Sequence, residues 1–526
     1  MKISEGASAA AAAVAVALLV WWIATPRGLG ISPDSTQYLS AAHNLASGRG
    51  LVVHWWARGV VPLTHFPPLF PVAMAALTRL GLPVAHGAAV INACSFVVCV
   101  VLTFVLARRS GLSDFVALCT SLAVALARDV QEVHAMVWSE PLYMALTMGA
   151  LYLTVIALRD DRWSSLFLVA VCAALSVLTR YAGLALVGSS GLCLLLFAQG
   201  SWQRRLQRAA AFGGIAMLPV GLAFLRNLAQ AESLANREIA FHPLSLARLR
   251  PAASTVYHWL TPRTLDFVEL PVLLAVGGGI LLYALVWVRA ARAKPVTFTT
   301  SALDVLPVLV AYGVCYVAFL ALSISIADAQ TPLNPRLLAP LIPPFAVVAA
   351  NVLAASARNV VLRRATAVLL VVVGVGLLTA LVDWARPARR EGLGYNSARW
   401  NRSELAKAVG MLPRNVDVYS NYPDALLYLT GREAIGLPRI FSPTSLKPNR
   451  QYEREFRSIC ADAGNRRVAI AYFLKVPPEK FIPSIAQIRR RLASRPVTVV
   501  DDGVVDTVPP SCPRTTAGDD TLTSRP

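Results

Sequence analysis

Charge is what this chain has least of. Asp, Glu, Lys and Arg supply 15% of its 526 residues against 56% hydrophobic ones, and the mean hydropathy is +0.56. A water-soluble globule of this length could not cover itself with so little polar surface, so a polytopic α-helical membrane protein is expected. The formal net charge of +20 raises nucleic acid as a partner. No basic helix interleaved with aromatics is present, however, and the cations sit in clusters beside apolar runs, which is a topology signal; no nucleic acid is expected. No CxxC pair or Cys/His spacing points to a structural metal. No inverted pair of interrupted helices of the transporter kind is visible.

The apolar runs that are present lie at about 7–24, 85–107, 113–127, 140–158, 164–180, 182–198, 209–225, 270–288, 303–326, 337–355 and 365–385. Each is near the roughly 20 residues that cross a hydrocarbon core of about 30 Å, or somewhat short of it, giving about eleven transmembrane helices. Lys2 before the first run, with no convincing cleavage site after it, predicts an uncleaved span and a cytoplasmic N-terminus. Threading from there puts Arg108/Arg109, Arg159/Arg162, Arg204/Arg205/Arg208, Arg289/Arg292/Lys294 and Arg358/Arg363/Arg364 on the cytoplasmic side. Residues 386 onward then fall outside a cell or inner membrane.

Between the first two spans, residues 25–83 are too apolar for a solvated loop, with Trp55, Trp56, Phe66, Leu69 and Phe70. Interfacial helices explain this stretch, and Pro67-Pro68 aims the segment 69–80 as a new element. The region 386–513 changes character. Short apolar runs at 416–419, 468–473 and 497–500 read as strands between helices near 403–411 and 482–493, predicting a small extracytoplasmic α/β domain, with a disordered tail at 514–526. Six of the eight cysteines lie in apolar segments and read as core residues. Cys460 and Cys512, alone in the polar region, are candidates for a disulfide in an oxidising compartment.

The run Ser32-Pro33-Asp34-Ser35-Thr36-Gln37-Tyr38 after the first span places a carboxylate where a membrane meets water. Ser35 and Thr36 are expected to cap a helix whose apolar face carries Tyr38, and Asp34 at its entry would be ionised, either a plain cap or a base. Ionisable residues near spans are informative because a mid-membrane charge costs roughly 2.5 to 3.5 kcal/mol on insertion scales. With this topology Arg58, His65, Glu140, Arg180 and Arg336 face the same side as Asp34. Arg180 and Arg336 end and open spans against the positive-inside trend; they either snorkel to the headgroups or hold a phosphate in a guanidinium fork.

These motifs together resemble the C-type membrane glycosyltransferase superfamily, in its bacterial protein-mannosyltransferase and aminoarabinose-transferase branch. They are Pro33-Asp34-Ser35-x-x-Tyr38, His65-x-Pro67-Pro68-Leu69-x-Pro71, Ser139-Glu140-Pro141, Thr179-Arg180-Tyr181-Ala182-Gly183 and Arg336-Leu337-Leu338-x-Pro340-x-x-Pro343. The resemblance covers residues 1–385, the expected catalytic domain. It implies transfer of a hexosyl or pentosyl group from a polyprenyl-phosphate sugar donor to an extracytoplasmic glycan, lipid or protein acceptor. Asp34 matches the acid that acts as general base, Glu140 the acid of the second loop, and Tyr38 a substrate contact. Where the aminoarabinose transferases carry a lysine before the paired prolines, this chain has Phe66, with His65 one place earlier. Arg58, His65, Arg180 and Arg336 are therefore the candidates for binding the donor phosphate. No DxD pair stands in the first external loop, so no metal cofactor is expected, although Asp34 and Glu140 could share a divalent ion if they meet. The competing readings are a flippase for lipid-linked glycans, whose outward charges would line a path, and a non-catalytic scaffold binding cell-wall material.

Overall fold

The computed structural model describes residues 3–54, 56, 58–231, 235–259, 300–356, 360–477 and 481–511. They form two compact units: Met1–Leu51 with Pro62–Ser397, and Val52–Val61 with Ala398–Pro526.

The first unit is helical. Among the described residues seven helices are long and apolar enough to cross a membrane: Gly6–Ala24, Val84–Arg109, Glu140–Arg159, Trp202–Ala231, Ser301–Ile326, Pro335–Ser356 and Arg363–Glu391. Three further expected spans fall on shorter apolar helices, Asp114–Leu126, Trp163–Thr179 and Gly183–Phe197. At 1.5 Å per residue these reach only about 20 to 25 Å, so composition marks them as apolar without giving them spanning length. The run at 270–288 lies outside the described residues, as do Cys512 and the tail.

An apolar outer surface sets this unit apart from a soluble bundle. Along the packed Glu140–Arg159 and Trp163–Thr179 helices the buried positions include Ala145, Ala150, Ala157, Ala170, Ala173 and Ala174. Leu218, Leu222 and Leu225, at helical spacing on Trp202–Ala231, are each more than 60% exposed. Small residues let helices approach where lipid offers no hydrophobic drive for association, while large apolar ones face outward. The chain is a multi-pass membrane protein.

The 25–83 segment carries the helices Pro33–Ala46 and Leu69–Arg79, both too short to span. The first starts earlier than its expected Ser35/Thr36 cap. Ser32 is the cap: its hydroxyl accepts from the Ser35 amide at 3.3 Å while Ser35 Oγ accepts from the Ser32 amide at 2.9 Å. Pro33 decides this, since a helix tolerates proline best at its first position, where the missing N–H is not needed. The helix entered through Val360 runs past residue 386 to Glu391.

The second unit holds a five-stranded mixed sheet in the order Ile435–Gly436, Val416–Ser420, Arg467–Phe473, Gly503–Val508, Arg495–Val500. The first three strands are parallel and the last three antiparallel. The central strand alternates. Val468, Ile470 and Tyr472 pack with Phe456, Ile459, Ile488 and Leu492 on one face, and Ala469, Ala471 and Phe473 with Leu405, Val409 and Leu426 on the other. The excursion 52–61 joins this unit. Trp56 lies under the Arg439 guanidinium, 3.6 Å from its ring centre, and accepts the Gly436 amide on its carbonyl.

Candidate active site

Two helices begin side by side in the first unit because the strands leading into them are bridged. Gly30 and Met136 form an isolated parallel bridge, with the Gly30 amide donating to Ala135 O at 2.8 Å and the Val137 amide to Gly30 O at 2.9 Å. Only glycine fits there: a Cβ on residue 30 would stand 2.1 Å from Met136 Sδ. Four residues on from each partner come Asp34 and Glu140, each in the first turn of a helix. The positive helix end favours a carboxylate at both places.

Arg336 joins them. It lies in the short turn Pro335–Leu338, which Asn334 caps by accepting the Leu337 amide at 3.2 Å. One guanidinium nitrogen donates to Asp34 Oδ2 at 2.7 Å, a second to Glu140 Oε2 at 3.3 Å, and Nε to Glu140 Oε1. The guanidinium carbon also sits 4.1 Å from the ring centre of Trp138, a cation–π contact. Trp138 is held in turn by its indole N–H on Ser32 Oγ at 2.8 Å.

Arg180 reaches the same acid, 2.7 Å from Glu140 Oε1. It stands where the Trp163–Thr179 helix breaks into extended backbone, φ −150° and ψ 137°. Its guanidinium donates to Ser139 Oγ at 3.3 Å, and that hydroxyl lies 3.1 Å from Tyr38 Oη. Ser139 makes no capping bond to its own helix, so it faces the cluster instead. Tyr38 is walled by Phe66 and Phe70, ring centres 4.9 and 5.2 Å away.

The structure thus brings together Asp34, Tyr38, Glu140, Arg180 and Arg336. Glu140 is 1% exposed, while the Arg180 and Arg336 side chains are 19% and 20% exposed. Burial raises the Asp34 pKa, but the Arg336 charge and hydrogen bond, with Arg180 behind them, bring it below the ordinary carboxylate value. Burial keeps the Tyr38 phenol well above its usual range. His65 lies near enough to interact with Asp34, yet burial and then the Arg237 charge push it down to about 4. At neutral pH it is an uncharged imidazole. Arg58 belongs to the second unit, where it donates to Asp417 and Asp462 at 2.9 Å each. Among the described residues there is no group of three or more His, Cys, Asp or Glu placed to hold a metal.

Two carboxylates held by two guanidiniums, on a bundle of apolar helices, make up the site in hand, and comparison sharpens it. Residues 65–224 match the family model of dolichyl-phosphate-mannose-protein mannosyltransferases. Among solved structures, apo ArnT from Cupriavidus metallidurans superposes with a TM-score of 0.58 at 16% identity, covering 96% of this chain and 98% of that one. The same protein bound to undecaprenyl phosphate gives 0.57 at 14%, covering 94% and 97%. An oligosaccharyltransferase from Archaeoglobus fulgidus matches more loosely, at 0.47 and 13% identity over 87% and 67%. No curated protein sequence matches. The chain has an ArnT-like fold, and its resemblance to the C-type membrane glycosyltransferases is borne out.

Proposed function

We propose that the protein transfers a sugar from a polyprenyl-phosphate donor to an acceptor outside the membrane, with residues 386 onward on that outer side. The observation that carries this reading is Arg336 held between Asp34 and Glu140, with Arg180 on the same glutamate. Two guanidiniums converge beside a carboxylate that is ionised at neutral pH, all within one apolar helical unit of ArnT-like fold.

In the reaction so read, an acceptor hydroxyl attacks the anomeric carbon as the bond from that carbon to the phosphate oxygen breaks, and a single displacement inverts the centre. The hydroxyl proton goes to Asp34, acting as general base. The leaving phosphate changes from a singly charged diester to a monoester of greater charge. Arg180 and Arg336 meet that growing charge, and because they bond more strongly to the product-like phosphate they act where the transition state needs them. Glu140 holds both arginines in place. Tyr38, through Ser139, shapes the wall beside Arg180. The likeness to ArnT supports a lipid-linked donor, since that protein has been seen bound to undecaprenyl phosphate. The sugar and the acceptor are read no more finely than a hexosyl or pentosyl group and a glycan, lipid or protein.

The test is incubation of purified protein with a panel of polyprenyl-phosphate sugars, following released polyprenyl phosphate. Release with at least one donor, dependent on acceptor, is expected. Transbilayer movement of the lipid-linked sugar without release would replace this reading with a flippase.

A further inference from the structure

Three buried tyrosines adjoin the cluster and have no part in the reaction as proposed. Tyr143 stands one turn along from Glu140, and Tyr312 and Tyr316 one turn apart on Thr300–Ile326. None is more than 1% exposed. The rings pack together, Tyr312 on Tyr316 at 5.5 Å and Tyr143 on Tyr316 at 6.3 Å between centres.

Two of the three hydroxyls are spent on backbone. Tyr316 donates to Leu337 O at 2.8 Å, and Tyr143 to Ala182 O at 3.3 Å. Tyr143 Oη also lies 3.1 Å from Tyr312 Oη; with its own proton on Ala182, it accepts from Tyr312. Leu337 is next to Arg336, and Ala182 is two residues from Arg180. Both segments are interruptions between helices; Ala182 O, at the start of the next helix, also accepts the Ala185 amide at 3.1 Å. Around Leu337 a shortage of donors is built into the sequence, because Pro340, Pro343 and Pro344 have no N–H to offer.

We infer that Tyr143 and Tyr316 are positioning residues that fix the spacing of Arg180 and Arg336, so that the two guanidiniums present a preset span to a phosphate group. The stacked rings tie the two carbonyl anchors to each other, with Tyr312 as the link. A clamp already set loses little freedom when it closes on its ligand. This rests on the polyprenyl-phosphate reading of the site.

The probe is undecaprenyl phosphate, titrated against full-length protein in lipid nanodiscs, with thermal stability recorded for each variant. Tyr316→Phe keeps the ring and removes the donor; its affinity should fall about tenfold, as for loss of a buried hydrogen bond that leaves a carbonyl unpaired. Tyr143→Phe should weaken binding in the same direction. In an Arg336→Ala background Tyr316→Phe should have no further effect, since it acts through that arginine. Unchanged affinity in both single variants, or additive losses in the double variant, overturns the positioning role and leaves only structural tyrosines. If Tyr316→Phe does not fold, Tyr143→Phe paired with Arg180→Ala decides in the same way. Wild-type protein that fails to bind undecaprenyl phosphate overturns the donor reading, and the clamp with it.

Discussion

Gly30 and Met136 lie edge to edge across a bridge that sets two helix starts in register, so that Asp34 and Glu140 arrive together on one guanidinium. The contact leaves no room for a side chain at residue 30. Gly30→Val is expected to cost about 1 to 3 kcal/mol of stability, as overpacking does, and to part the two acids. Thermal unfolding and donor affinity should both suffer. An unaltered variant would mean that the register is set elsewhere.

Asp34→Asn separates a base from a merely structural partner of Arg336. Asparagine keeps the size and the local polar character, so folding should survive. Turnover should fall by a factor of about 10² to 10⁴, the usual loss on removing a general base. Arg336→Ala should act mainly on donor affinity and leave the nearly buried Glu140 with Arg180 as its remaining partner. Near-normal turnover of Asp34→Asn with a verified donor would move the base to Glu140.

His65 gives a pH signature. Its value near 4 in the folded protein lies below the ordinary 6.5, so between those limits the unfolded chain binds more protons than the native one. Its contribution to stability is therefore complete above pH 6.5 and is lost as pH falls toward 4. His65→Gln should flatten that part of the curve of melting temperature against pH. Because Asp34 is held below the ordinary carboxylate value, the acid limb of kcat/KM should lie below pH 4 and show no inflection near 6.5. An inflection near 6.5 that vanishes in His65→Gln would show a charged imidazole at work.

Arg58→Ala is expected to spare donor binding. Its partners are Asp417 and Asp462, the latter also accepting Tyr419 Oη at 2.5 Å. At 42% exposure the arginine contributes a partly screened pair of contacts, about 1 kcal/mol. A modest loss of stability with unaltered affinity for undecaprenyl phosphate is the result to look for, and a large loss of affinity would return Arg58 to the phosphate.

A reporter fused after Val500 should be active outside the membrane. Activity confined to the cytoplasm would require Asp34, Glu140 and Arg336 to be placed anew.

Much of the cluster was legible because charge is expensive in so apolar a chain. Asp34, Glu140, Arg180 and Arg336 stand out against the hydrophobic background. Trp138 and Ser139 carry no local mark of their part in the cluster, since nothing in the sequence distinguishes a tryptophan that stacks on an arginine from one that anchors a span, and Ser139 equally suits a plain helix start. The helix starts a turn before Ser35 and Thr36 because Ser32 caps it and Pro33 serves as its first residue. The expected topology alone groups Arg58 with the other outward cations. Its true partners are more than 350 residues away, and pairing over such a distance leaves no local pattern.

The excursion 52–61 sets a timetable for synthesis. Residues 52–61 leave the ribosome early, while the rest of the second unit begins at residue 398. At about 5 to 20 residues per second the interval is on the order of tens of seconds. Through that time Arg58 and Trp56 have no sheet to join, and the helices between must be in place first. The second unit is consequently the last part of the molecule to close, and a fragment starting at residue 398 would lack the piece made first.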